Sequence, residues 1–154
     1  MRAVVQRVLS SSVAVDGKIV GKIGPGMNVL LGVSREDTQK DADYLVKKIS
    51  GLRIFDDADG VMNLNAFDKV GPGQQPEVLA VSQFTLYADA RKGNRPSYIM
   101  AESPERARQL YEYFTAQLEA AGFHVERGIF QADMQVEIQN DGPVTILLDS
   151  FKTF

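Results

Sequence analysis

Two runs rich in β-branched residues meet at an Asp16-Gly17 dipeptide, which commits the start of this chain to antiparallel strands. Glycine accepts positive φ without steric cost, so Asp-Gly suits the type I′ turn whose twist matches a hairpin. Val4-Val5-Gln6-Arg7-Val8 and Val13-Ala14-Val15 lead into the turn, and Lys18 to Ile23 returns from it. After a Gly24-Pro25-Gly26 loop, Met27-Asn28-Val29-Leu30-Leu31-Gly32-Val33 is apolar enough for a central buried strand.

Two segments carry clear helical spacing. Ser34-Arg35-Glu36-Asp37 reads as a helix start, with Ala42, Leu45, Val46 and Ile49 on one face and Gly51 as the stop; this predicts a helix over 37–50. Ser103 as N-cap and Pro104 at the first helical position predict a second helix over 104–121. Its buried stripe is Ala107, Leu110, Tyr111, Phe114 and Leu118, and Gly122 follows its end. Leu52 to Phe55, Glu77 to Gln83, His124 to Glu126, Ile129 to Ile138 and Val144 to Leu148 read as strands. Asp56 to Gly60, Gly71 to Pro76 and Asn140 to Gly142 read as turns or loops. The whole predicts a single α+β domain over 1–154, with a curved or closed, mainly antiparallel sheet or barrel and two main helices.

Composition removes several kinds of chemistry. The 154 residues include no cysteine, so disulfides, thiolate nucleophiles and thiolate metal sites are out. His124 is the only histidine, which rules out a His-rich zinc site within one chain and any catalytic triad not built around it. Its place just after Gly122 reads as the surface start of a strand. Asp56-Asp57-Ala58-Asp59-Gly60 lacks the spacing and terminal Glu of a calcium loop, and neither Gly-Pro-Gly segment carries the Lys-Ser/Thr of a phosphate loop. No cofactor or metal is expected. No apolar run reaches the ~20 residues of a membrane helix, and Gln6 and Arg7 interrupt the N-terminus too early for a secretory signal; the lack of cysteine suits a reducing cytoplasm, where the protein is expected.

A net charge of −3 argues against a broad nucleic-acid surface, since phosphate contacts need Lys and Arg. Charge is nevertheless local. Arg91, Lys92 and Arg95 sit together, and Arg2, Arg7, Lys18 and Lys22 crowd the first hairpin. By charge alone both clusters read as solvated faces.

Two short segments are better candidates for a site. Ser82-Gln83-Phe84-Thr85-Leu86 ends a strand and enters an irregular basic loop, a place where a rigid element meets exposed chain. The Thr85 hydroxyl would need a base to act as a nucleophile, and the sequence supplies none nearby. Backbone N–H groups at a strand exit can instead hold a carbonyl oxygen that gains charge. The competing reading is a polar strand end around a core Phe84. Asn140-Asp141-Gly142-Pro143-Val144-Thr145 reads as an ordinary turn anchored on a stiff strand, with Gly142 open to close approach by a ligand.

These segments, in this order and at this chain length, resemble the bacterial D-aminoacyl-tRNA deacylases over essentially the whole sequence. Met1-Arg2-Ala3-Val4-Val5-Gln6-Arg7-Val8 is similar to their first strand, and the two candidate segments to their two signatures. Lys92-Gly93-Asn94-Arg95-Pro96-Ser97 and Gly128-Ile129-Phe130-Gln131-Ala132-Asp133-Met134 also match in character.

The resemblance implies a homodimer that hydrolyses D-aminoacyl-tRNA and glycine mischarged on tRNA(Ala), with no cofactor. It implies a cis Gly142-Pro143 peptide reaching into the partner's pocket beside Ser82, Gln83, Phe84 and Thr85. Carbonyls there would exclude an L side chain by blockage, which discriminates more sharply than an added contact. Arg7 would hold the dipeptide, Phe130, Ala132 and Met134 would wall the terminal adenosine, and Lys92 and Arg95 would meet phosphates. Hydrolysis would rely on the ribose 2′-OH and backbone N–H groups near Phe84 and Thr85. The alternatives are an esterase with Thr85 as nucleophile and a non-enzymatic dimer that binds nucleic acid or a small ligand.

Overall fold

The structure, a computed structural model, describes residues 1–154. The hairpin at Asp16-Gly17 forms, with both residues at positive φ. It joins β1 (Arg2–Val15) to β2 (Lys18–Ile23), and β3 (Gly26–Gly32) follows directly. β1 is long enough to serve three partners. Its second half pairs with β2 and its first half with β3 on one edge, while β8 (Gln135–Asp149) runs along the other. These pairs are antiparallel. β6 (Glu77–Ser82) and β7 (His124–Arg127) extend the sheet from β3 by parallel pairing, so the order β2-β1-β3-β6-β7 is mixed.

The sheet curls until β2 approaches β7, and a Cβ on Gly21 would lie 2.6 Å from the Arg127 carbonyl oxygen. The result is the expected curved, nearly closed sheet. Inside the curl lies a small core of Val8, Val13, Ile23, Leu79 and Val81. The larger core lies on the other face, beneath α1 (Gln39–Gly51) and α3 (Pro104–Ala120), and includes Leu45, Ile49, Leu110, Phe114 and Leu118. Burying each such side chain contributes about 1.5–3 kcal/mol, so these stripes fix the helices against the sheet.

Several boundaries move, each for a local reason. The first helix begins at Gln39 because Asp37 is occupied elsewhere. Its carboxylate is fully buried, pairs with the Met1 ammonium and accepts the Ser34 N–H at 2.6 Å. Thr38 becomes the N-cap, and its N–H donates to the Asp41 carboxylate at 2.8 Å. A short α2 (Ala66–Val70), absent from the sequence reading, is capped by Asn65, which accepts the Asp68 N–H at 2.9 Å. Of Leu52 to Phe55 only β4 (Phe55–Asp56) is strand, paired with β5 (Met62–Leu64). Residues 129–134 are a turn rather than strand, with Gln131 at φ 65°. No helix is long and apolar enough to cross a membrane.

Candidate active site

β6 ends at Ser82, and the chain closes at once into a 3₁₀ turn, Phe84–Tyr87. The turn is held from below. Gln83 N–H donates to the Leu31 carbonyl at 2.7 Å, extending the β3–β6 pairing by one bond. The turn then folds across Gly32, where a Cβ would come within 2.9 Å of Leu86 Cβ, so only glycine permits this approach. Arg2 clamps the far end: Nη1 donates to the Leu86 carbonyl at 3.0 Å and the guanidinium lies 4.6 Å from the Tyr87 ring centroid. The first N–H groups of the turn, on Phe84 and Thr85, have no partner within it, as at any helix start.

Beside this turn opens a cavity of about 580 Å³. Ser82, Gln83 and Phe84 form one wall; Phe130, Gln131, Ala132 and Met134 form another; Tyr98, Glu102, Ala107 and Tyr111 lie toward α3. Phe84 is 59% exposed, unlike the core side chain that one reading of the sequence made it, and stands edge-on to Tyr98 with centroids 5.1 Å apart. The Tyr111 hydroxyl donates to the Ala80 carbonyl at 2.9 Å, and burial pushes its phenol up to about 12, so it is a fixed neutral donor. Glu102 is the only ionisable carboxylate lining the cavity, and it accepts from Arg106 Nη1 at 2.7 Å and from the Ser103 N–H at 2.6 Å. No free general base lines this space.

Thr85 does not line the cavity. It is half-buried, and its hydroxyl accepts from the Gln83 side-chain amide. His124 sits opposite Glu77, at the start of β6 and so at the other end of the strand from Ser82; its ring lies 3.2 Å from Glu126. No group of three or more His, Cys, Asp or Glu side chains is placed to hold a metal ion.

The second segment is a bulge in β8 rather than a chain-reversing turn. Gln6 pairs with Thr145 and Val8 with Asn140, so residues 141–144 stand opposite Arg7 alone. Gly142 has φ 119°, the Gly142-Pro143 peptide is cis, and both residues are exposed. Asn140 stabilises the bulge through its side chain, which accepts the Val144 N–H at 3.2 Å and donates to Thr145 Oγ1 at 2.9 Å. Arg7, only 8% exposed, holds it from the sheet: Nε lies 3.3 Å from the Asp141 carbonyl and 3.0 Å from its carboxylate, while Nη1 donates to the Ile54 carbonyl at 2.8 Å. Neither Gly142 nor Pro143 lines the cavity of its own chain.

A model of the D-Tyr-tRNA(Tyr) deacylase family matches residues 4–149. The chain belongs to that family. Proteins named D-aminoacyl-tRNA deacylase from Koribacter versatilis and Fervidobacterium nodosum are each 58% identical over 154 residues, covering all of both chains. A solved structure titled c-Myc DNA Unwinding Element Binding Protein superposes with a TM-score of 0.88 at 45% identity, covering 97% of this chain and 98% of that one. A probable eukaryotic D-amino acid tRNA deacylase, at 17% identity and TM-score 0.76 over 96% of this chain and 97% of its own, shares the fold.

In this deacylase-family chain the sequence-predicted residues other than Thr85 fall into three groups. Ser82, Gln83, Phe84, Phe130, Ala132 and Met134 share the cavity; Arg7, Gly142 and Pro143 form the bulge; Lys92 and Arg95 lie in the exposed loop that Asp89 and Ser97 close with two 2.8 Å backbone bonds. Tyr98, Glu102 and Gln131 were missed. Tyr111 was read as core, which it also is, since one side chain serves the stripe of α3 and the cavity floor.

Proposed function

We propose that this deacylase hydrolyses the ester of D-aminoacyl-tRNA as a homodimer, releasing the free D-amino acid and tRNA. Family membership carries the activity and makes the protein a hydrolase. One structural observation supports the manner of catalysis: the cavity beside Ser82-Gln83-Phe84 contains no unengaged acid or base. An aminoacyl ester is already activated, and the neighbouring ribose 2′-OH can assist its hydrolysis. The protein's task is then to position the ester and to offer backbone N–H groups near Phe84 and Thr85 to the developing oxyanion.

In this reading Gly142 and Pro143 reach the cavity of the partner subunit. Their exposure on a braced bulge, outside their own cavity, supports that placement. So do the exposed apolar side chains Phe84, Tyr98, Ile99 and Met100, which need a cover. The bulge carbonyls exclude an L side chain, whereas glycine has none to exclude, so Gly-tRNA(Ala) is a second substrate. Phe130, Ala132 and Met134 face the terminal adenosine, Lys92 and Arg95 take phosphates, and the protein works in the cytoplasm.

The experiment is deacylation of D-tyrosyl-tRNA and glycyl-tRNA(Ala) ending in ribose or in 2′-deoxyribose, with the oligomer measured by light scattering. The proposal expects a dimer that hydrolyses both ribose substrates and loses most of its rate on the 2′-deoxy forms. A monomer, or full activity on the 2′-deoxy substrates, overturns the corresponding part. An esterase with Thr85 as nucleophile would cleave small esters without RNA, and a mere binding dimer would hydrolyse neither.

A further inference from the structure

We infer that Arg108 is a phosphate-binding residue of the substrate site, contacting the phosphodiester immediately 5′ of the terminal adenosine. The inference rests on the deacylase reading above and adds to it a subsite that neither signature segment contains.

None of the residues lining the cavity is a lysine or arginine. Of the two cations flanking the cavity residue Ala107 on α3, Arg106 is committed: it pairs with Glu102 and also donates to the carbonyls of Arg35 at 3.1 Å and Asp37 at 2.8 Å. Arg108 is different. It follows the cavity residue Ala107 on α3, is exposed, and takes part in none of the molecule's ion pairs. Its guanidinium instead lies 5.1 Å from the centroid of the Phe130 ring. Phe130 is a cavity wall, and its ring packs 5.9 Å from that of Tyr111.

This arrangement suits an anion at the cavity rim. A guanidinium held by an aromatic ring through cation–π attraction keeps N–H donors for a planar or tetrahedral oxyanion. That contact also orders a long side chain in advance, which lowers the entropic cost of using it. A nucleoside seated beside Phe130 with its 5′ oxygen toward the guanidinium held by that ring would bring its phosphate to Arg108. Net charge on the whole chain is negative, so a single uncommitted arginine at this rim matters more than it would on a basic surface.

The test uses D-tyrosyl esters of adenosine and of adenosine 5′-phosphate alongside D-tyrosyl-tRNA, with wild-type protein, Arg108→Met and Arg108→Lys. In wild type the 5′-phosphate should lower KM roughly tenfold, as for a hydrogen-bonded charge contact. Arg108→Met should abolish that advantage, and on tRNA the plot of log(kcat/KM) against log salt should flatten by about 0.7, the loss of one single-strand phosphate contact. Arg108→Lys should restore part of both. A 5′-phosphate advantage equal in wild type and Arg108→Met overturns the proposal, as does its absence from wild type. A wild type inactive on every D-tyrosyl ester overturns the deacylase reading and this inference together, whereas wild-type activity with an unchanged ratio overturns Arg108 alone.

Discussion

Arg7 Nε lies 3.0 Å from the Asp141 carboxylate and 3.3 Å from the Asp141 carbonyl, so one buried side chain fixes both ends of the residue that opens the β8 bulge. The same guanidinium reaches Ile54 and Asp56, tying the bulge to the chain between α1 and α2. The bulge is therefore a braced projection and not a loose loop.

Arg7→Ala should free that projection. It removes charge-assisted bonds at a largely buried position, with a loss of about 1–3 kcal/mol discounted for the partly exposed Asp56 and Asp141 partners. A lower melting temperature is expected together with faster hydrolysis of L-tyrosyl-tRNA relative to the D form. An unchanged D/L ratio in a destabilised variant would show that the brace serves only the fold.

Gly142→Ala tests the bulge from its own side. At φ 119° a Cβ would meet Val144 Cγ2 at 2.8 Å and Arg7 Nη2 at 3.2 Å, so the backbone must shift. Rejection of L-tyrosyl-tRNA should weaken by roughly tenfold, corresponding to about 1.4 kcal/mol. Steady-state rates on both enantiomers measure it, and undiminished rejection would detach Gly142 from stereochemical control.

Thr85→Val should retain at least half of wild-type kcat on D-tyrosyl-tRNA. The hydroxyl is engaged by Gln83, lies outside the cavity lining, and has no base beside it. A loss of about a thousandfold would make Thr85 the nucleophile.

The pH dependence of stability follows from Tyr111. Its folded phenol, pushed up to about 12, exceeds the unfolded value of about 10. The folded state therefore holds its proton longer. The associated stability is fully present below about pH 10 and is lost as pH rises toward 12. Tyr87 is raised in the same direction by burial. Urea denaturation from pH 9 to 12 should show a falling midpoint, less steep in Tyr111→Phe, where Tyr87 supplies the remainder. Equal slopes would remove Tyr111 from the effect.

Much of this was legible in the sequence because it rests on local rules. Asp16-Gly17, the Ala107-Leu110-Tyr111-Phe114-Leu118 stripe and Pro104 after Ser103 each name their own structure; all form, though Ala107 is only half-buried and Ser103 makes no side-chain cap bond. What escaped depends on distant partners. Asp37 looks like the first turn of a helix until the Met1 ammonium claims it from 36 residues away. Residues 129–134 carry strand-like composition yet turn, so that Phe130 and Met134 face the cavity. Tyr98 and Glu102 lie in a stretch without periodicity, and only the bonds of that stretch to Val33, Ser34 and Arg35 just after β3 bring them to the cavity. The bulge read as a turn because Asn140-Asp141-Gly142 has turn chemistry; only the register with β1 shows that the strand continues through it.

The central claim is that this chain removes D-amino acids from tRNA and spares the L form. It is tested most directly by incubating the purified protein with D-tyrosyl-tRNA and L-tyrosyl-tRNA in parallel and following the ester remaining. The account predicts rapid loss of the D ester while the L ester decays no faster than in buffer. Equal hydrolysis of both, or of neither, contradicts it.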